Sequence, residues 1–209
     1  MRVLGLTGGI GMGKSTMAAL LRRAGLRVFD ADAQVRALQA PHGRALPAIE
    51  RLVPGCVRDG VLDRATLRRA ALADPAIIRG LEGILHPLVR AARMRFLARA
   101  RRDGCRWVVL DIPLLFETGA ERICDKVVVV SAPATIQRAR VLRRGTMTPA
   151  QLDAVLARQM PDAARRRRAD IVIETGLSRH DTLRQVRHLL HAMHTKDPAA
   201  WAAYGRKPA

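Results

Sequence analysis

Aromatic residues are scarce in this chain. Among 209 residues there are three Phe, two Trp and one Tyr. They are scattered rather than interleaved with basic residues, so the stacking platform that holds unpaired bases is missing. Lysine is almost absent too: Lys14, Lys126, Lys196 and Lys207 are the four, and the rest of the 37 basic residues are arginines. Against them stand 18 acidic residues, for a formal charge of +19. Cysteine is limited to Cys56, Cys105 and Cys124, odd in number and widely spaced, which fits neither a disulfide framework nor a zinc site. No apolar run approaches the roughly 18–20 residues of a membrane span. Arg2 is the one basic residue before the first motif, and no signal-peptide core is expected there. The absences lead to the expectation of a cytoplasmic protein with no membrane partner, its core filled by Leu, Val, Ile and Ala. The arginines are spread along the chain, which reads as compositional bias with some steering of anions. A nucleic-acid surface is the alternative, and the missing aromatics argue against it. The length suits one domain with small insertions.

What is present is a phosphate loop. Gly8-Gly9-Ile10-Gly11-Met12-Gly13-Lys14-Ser15-Thr16 fits G-x-x-x-x-G-K-[ST]. Glycines let backbone N–H groups turn inward onto phosphate oxygens. Lys14 supplies a charge for the β and γ phosphates and Ser15 a hydroxyl for Mg²⁺. The context agrees. Val3-Leu4-Gly5-Leu6 reads as a buried strand, and Met17, Leu20 and Leu21 form a helical stripe that stops at Gly25.

Strand candidates recur at Val3–Leu6, Leu26–Phe29, Trp107–Leu110, Val127–Val130 and Ile171–Ile173, the alternation of an α/β fold with a parallel sheet. Between Asp32 and Asp103 no strand is expected. That stretch reads as helices near Ala33–Gln39 and Leu46–Val53, one after the cap Asp63, and a long one after Asp74-Pro75, kinked or restarted at Pro87. Thr148-Pro149-Ala150-Gln151 forms a capping box, and Ser178 opens another helix. The tail after His194 is expected to be loose.

Several groups carry chemistry. Asp30 and Asp32 end the second strand, where α/β sheets bind ligands. Asp32 is expected to lie opposite Lys14 across a crevice and to accept a proton from an attacking hydroxyl. The plainer reading is that Asp30 or Asp32 caps the next helix. Arg36 follows one turn on, fit for a substrate phosphate or for pairing with Asp32. Asp111 ends the third strand and is either a Mg²⁺ ligand, direct or through water, or a turn residue before Pro113. Leu114, Leu115 and Phe116 line a substrate pocket or belong to the core. His86 stands on an apolar helix pattern, where a ligand role competes with a structural one. Arg138, Arg140, Arg143 and Arg144 on one side, and Arg165 to Arg168 on the other, flank the helix from Pro149. That arrangement suits a lid closing on phosphates, or a solvated basic face.

Taken in order, these segments resemble the dephospho-coenzyme A kinase family. The resemblance runs from Val3 to about Leu189. It is carried by the phosphate loop (with Met12 where Ser is usual), Asp30-Ala31-Asp32 with Arg36, His86-Pro87 and Pro113-Leu114-Leu115-Phe116-Glu117. Gln137 with Arg140 and Arg143, then Gln159-Met160-Pro161, then Ala169-Asp170 complete it. Glu174-Thr175-Gly176 and Arg165 depart from the common pattern. The resemblance implies an α/β P-loop kinase of the nucleoside-monophosphate-kinase type, with a five-stranded parallel sheet, a helical acceptor-binding insertion and a helical lid. It implies a core of residues 1–32, 104–140 and 169–194, an insertion at about 33–103, a lid at about 141–168 and a tail at 195–209. The implied activity moves the γ-phosphoryl group of ATP to the 3′-hydroxyl of dephospho-coenzyme A, with Mg²⁺. Another small acceptor, such as a nucleotide or sugar, is the runner-up. Carried over, Asp32, Lys14 and Arg140 become catalytic. Gly8 to Thr16 and Arg143 bind ATP; Asp32, Arg36, His86, Leu114, Leu115 and Phe116 bind the acceptor; Ser15 and Asp111 hold the metal. A monomer or weak homo-oligomer is expected.

Overall fold

The computed structural model describes residues 1–195 and 199–202. In chain order it contains β1 (Arg2–Thr7), α1 (Lys14–Arg23), β2 (Arg27–Asp30), α2 (Ala31–Leu38), α3 (Leu46–Leu52), β3 (Val57–Arg58), β4 (Val61–Leu62), α4 (Arg64–Ala73) and α5 (Pro75–Arg102). There follow β5 (Trp107–Asp111), β6 (Lys126–Ser131), α6 (Ala134–Arg143), α7 (Pro149–Arg158), α8 (Asp162–Arg168), β7 (Ile171–Glu174), α9 (Arg179–His194) and α10 (Ala199–Ala202). The chain divides into two compact units, residues 1–29 with 104–209, and residues 30–103.

The first unit is built on a sheet ordered β2-β5-β1-β6-β7, whose strands are the five expected from the apolar runs. β1 pairs in parallel with β5 on one side, Leu4 opposite Val109, and with β6 on the other, Leu6 opposite Val128. β1, β5 and β6 are buried almost throughout, as strands covered on both faces must be, which is why they read as unbroken apolar runs. Leu4, Leu6, Val128, Val130, Ile171 and Ile173 meet Met17 and Leu21 of α1 and Val186, Leu189 and Met193 of α9 in one core. Gly25 ends α1 as expected. At φ 85° it donates to Arg22 O, and Leu26 donates to Leu21 O, the paired bonds of a Schellman stop.

Residues 30–103 form the second unit, in which α5 packs against α2, α3 and α4. Its core gathers Leu46, Ile49, Val53, Cys56, Leu62 and Leu67, with Leu81, Ile84, Leu85 and Leu88 of α5 packed against them. Two expectations are corrected here. A short antiparallel hairpin is present: Val57 pairs with Leu62 and Arg58 with Val61. Its turn is Asp59-Gly60, both at positive φ, 49° and 74°. An Asp-Gly pair between two valines is a strong hairpin signal, and it was legible in the sequence. The second correction concerns a helix restart at Pro87. That proline lies inside α5, whose 28 residues run on without a restart. Proline removes one helical hydrogen bond, and the packing of its neighbours Ile84, Leu85 and Leu88 into the core holds the helix on both sides of it.

The caps fall where they were read. Asp63, Asp74 and Ser178 accept from N–H groups of their first turns, and Thr148 with Gln151 closes a reciprocal box. Of the tail, residues 196–198 and 203–209 lie outside the described residues. Trp201 of α10 is seated rather than loose, its ring centroid 5.7 Å from that of Trp107.

Candidate active site

The phosphate loop leaves the carboxyl end of β1, at the centre of the sheet, where the chain's crossover to β2 and the neighbouring β6 diverge. Such a switch point is where open α/β sheets bind ligands. Gly13 is the N-cap of α1, at φ 93° and ψ 12°, a left-handed conformation that an L side chain resists. A Cβ at Gly8 would stand 2.7 Å from Val130 O, so the loop's close approach to β6 also requires glycine. Lys14, Ser15 and Thr16 then open α1, whose free N–H groups and dipole favour an anion.

The loop is strapped from several elements. Gln137 of α6 donates to Ile10 O at 2.8 Å, and Ile10 N–H donates to Gln159 Oε1 at 3.3 Å. Thr175, just past β7, donates its hydroxyl to Met12 O at 2.7 Å. Ala132 N–H meets Met12 Sδ at 3.1 Å, which gives the unusual Met12 a function in place. These bonds fix the loop's shape without a ligand, the preorganisation that electrostatic catalysis needs.

Lys14 Nζ lies 2.5 Å from Asp111 Oδ1. Asp111 is only 3% exposed. In a site this dry the pair satisfies two charges that burial would otherwise penalise. Asp111 is thus more than a turn residue before Pro113: it holds the lysine of the loop. Arg140 donates to Thr175 Oγ1 at 3.0 Å and to Thr175 O at 2.6 Å, so it reaches the loop through the same hydroxyl that bonds Met12. Arg143 is exposed at the end of α6.

The segment after β5 separates its three apolar residues. Leu115 is fully buried and Phe116 is 5% exposed, whereas Leu114 is 44% exposed. Leu115 packs over Gly5 and Phe116 lies under the Arg168 guanidinium, 4.5 Å from ring centroid to Cζ. Two of the three therefore fill the interior, and Leu114 alone offers open apolar surface. Glu117 accepts from Met160 N–H at 3.2 Å and from Arg165 Nη2 at 3.3 Å. A groove of about 470 Å³ beside Met12 is lined by Ser131, Pro133, Asp162, Arg166 and Glu174. Ser131, Asp162, Arg166 and Glu174 hydrogen-bond one another around it.

In the second unit, Asp30 rather than Asp32 caps α2, accepting from Ala33 N–H at 2.8 Å. The helix consequently begins two residues earlier than its apolar pattern suggested. Asp32 and Arg36 stand one turn apart on α2, both exposed. His86 is exposed on α5, while Leu85 and Leu88 beside it turn into the core. Sequence reasoning passed over Glu117, Gln137, Gln159 and Thr175 as working residues. Each had appeared only as a letter in a motif, because a strap is defined by a partner far away in the chain.

Among the described residues no cluster of three His, Cys, Asp or Glu side chains could hold a metal. A Mg²⁺ that uses substrate phosphates needs only one or two protein ligands. Ser15, exposed in the first turn of α1, and Asp111 beside Lys14 fit that requirement.

A parallel five-stranded sheet with this loop at its central strand defines a P-loop kinase fold. The dephospho-CoA kinase family model matches residues 2–180. A dephospho-CoA kinase of Gluconobacter oxydans is 53% identical over 92% of this chain and 98% of its own length. One of Paramagnetospirillum magneticum is 60% identical over 79% and 78%. A solved structure from Thermus thermophilus is 36% identical, with a TM-score of 0.81 over 93% of this chain and 98% of that one. The dephospho-CoA kinase structure from Campylobacter jejuni, at 21% identity, shares the fold with a TM-score of 0.71. The chain belongs to the dephospho-CoA kinase family.

Proposed function

We propose that the chain transfers the γ-phosphoryl group of ATP to the 3′-hydroxyl of dephospho-CoA, yielding CoA and ADP. The observation that carries this reading is the family match across residues 2–180 on a chain whose phosphate loop is intact and strapped. The loop N–H groups, the α1 N-terminus and Lys14 receive the phosphates of ATP. Lys14 meets them by turning from Asp111 toward the bound anion. The Lys14–Asp111 pair keeps the ammonium in place until then and sets its charge where the transition state gathers negative charge.

On the acceptor side Asp32 takes the proton of the attacking hydroxyl. Arg36, His86 and the Leu114–Phe116 segment contact the acceptor, with Leu114 the exposed apolar member. Arg140 and Arg143 serve the ATP side, Arg140 from its bonds to Thr175. Residues at about 141–168 act as a lid over the loop, and residues at about 33–103 as the acceptor-binding part. Ser15 and Asp111 would hold Mg²⁺, which would supply charge neutralisation to the phosphates. In-line positioning and electrostatics dominate, and the base contributes less.

A coupled assay of ADP release with dephospho-CoA and ATP tests the reading. Turnover with dephospho-CoA far above that with nucleotides or sugars is expected. Turnover only with one of those other acceptors would overturn the substrate assignment.

A further inference from the structure

The arginine run Arg165-Arg166-Arg167-Arg168 on α8 looks uniform, yet its members do different things. Arg166 donates to Ser131 Oγ at 3.0 Å and pairs with Glu174. Arg168 pairs with Glu121 at 2.6 Å and covers the Phe116 ring. Arg167 is exposed. Arg165 is the buried member, at 2% exposure.

A buried guanidinium is costly unless its charge and donors are satisfied. Arg165 is incompletely satisfied. Its contact with Glu117 is a single bond of 3.3 Å to an oxygen that also accepts from Met160 N–H. That is longer than the roughly 2.7–2.9 Å of a charge-assisted pair and lacks the bidentate fork. Its Nε is buried with no hydrogen-bond partner among the described residues. Its Nη1 lies against the phosphate loop, 2.8 Å from where a Cβ of Gly9 would be. The guanidinium thus lies in the space beside Gly9 that a side chain would take. A buried guanidinium with an unused Nε–H donor sits at a loop built to hold an anion.

We propose that Arg165 contacts the terminal phosphoryl group of ATP held in the loop, and that Glu117 is its positioning residue. The proposal rests on the kinase reading above and adds a residue to it. The other paired members of the run are committed to Ser131, Glu174, Glu121 and Phe116, and Arg167 is exposed, so the placement selects one arginine of four. Met160 and Gln159 reinforce the geometry: Met160 shares the Glu117 oxygen, and Gln159 accepts from Ile10 N–H.

The test compares ATP with ADP binding by isothermal titration calorimetry, without acceptor. A charge-assisted hydrogen bond to the terminal phosphate predicts that Arg165→Gln weakens ATP by about tenfold to a hundredfold and ADP by less than about threefold. In turnover the same variant loses about 10²–10³-fold in kcat. Arg165→Lys recovers part of the preference for ATP because it keeps the charge. Glu117→Gln lowers kcat about tenfold while ADP affinity stays near wild type. Equal losses for ATP and ADP in Arg165→Gln, or none, would reduce Arg165 to a strut and overturn the proposal. If that variant does not fold, the lysine variant and Glu117→Gln decide it by the same comparison. Because no acceptor is present, a wild type inactive on dephospho-CoA would sink the substrate reading and leave this one to its own result.

Discussion

The sheet-based unit and residues 30–103 bury their apolar side chains differently. Of the twelve largest fully buried side chains among the described residues, Ile49 is the one that comes from residues 30–103. The others, Leu4, Leu6, Met17, Leu21 and Ile171 among them, belong to the first unit. The second unit leaves Leu72, Ile78 and Met94 exposed, and α5 has a single buried residue, Ala100, along its 28 positions. It relies instead on local devices: the Asp30, Asp63 and Asp74 caps, and Glu50, which accepts from Gly55 and Val57 N–H at 2.6 Å each. A dense core suits the unit that must hold a phosphate loop rigid. A thin core held by caps suits one that opens locally at low cost.

The contrast can be broken at several levels, and the catalytic ones are largest. Lys14→Ala should cut turnover by about 10³-fold or more and, by taking the ammonium away from the buried Asp111, lower the melting temperature as well; near-normal activity would remove the phosphate loop from the mechanism. Asp32→Asn, in the thin unit, should lower kcat by about 10²–10⁴-fold and leave ATP affinity within about twofold. A kcat equal to wild type would take the proton-acceptor role away from Asp32.

Core truncation sharpens the packing side of the comparison. Leu6→Ala should cost about 3–5 kcal/mol and Ile49→Ala about 2–3 kcal/mol, since a loosely packed site collapses more readily around a cavity. Urea denaturation would measure both, and equal costs would erase the difference between the units. Thr148→Ala removes the capping box of α7 and should cost about 1 kcal/mol, read in the same way.

The smallest effect is one of pH. The Gly55 and Val57 N–H groups hold the Glu50 carboxyl below its ordinary value. A lowered folded-state value means the stabilisation is present above the ordinary carboxylate range and lost as pH falls through the lowered one. Glu50→Gln should therefore flatten the acid limb of the stability profile and leave its slope unchanged above about pH 6. An unchanged acid limb would show that the Glu50 bonds do not contribute.

Much of the scaffold was open to reading. Five strands declared themselves as apolar runs, β1, β5 and β6 most plainly because both their faces are buried. Asp63, Asp74, Thr148 and Ser178 declared their helices because a cap acts within three residues. The hairpin at Asp59-Gly60 was equally local and was hidden by strands of two residues each. Pro87 does not restart its helix, because a local rule met the packing of a whole helix.

Sequence alone therefore determined the phosphate loop, the positions of the five strands of the large sheet and the caps, whose signals span a turn or a strand. Tertiary structure decided that Asp111 holds Lys14. It also decided that Leu115 and Phe116 face inward, and that Arg165 rather than its neighbours lies on Gly9. The reason is distance along the chain. Lys14 and Asp111 are 97 residues apart, and Arg165 and Glu117 are 48. No local pattern records which of several like side chains a partner so remote will select.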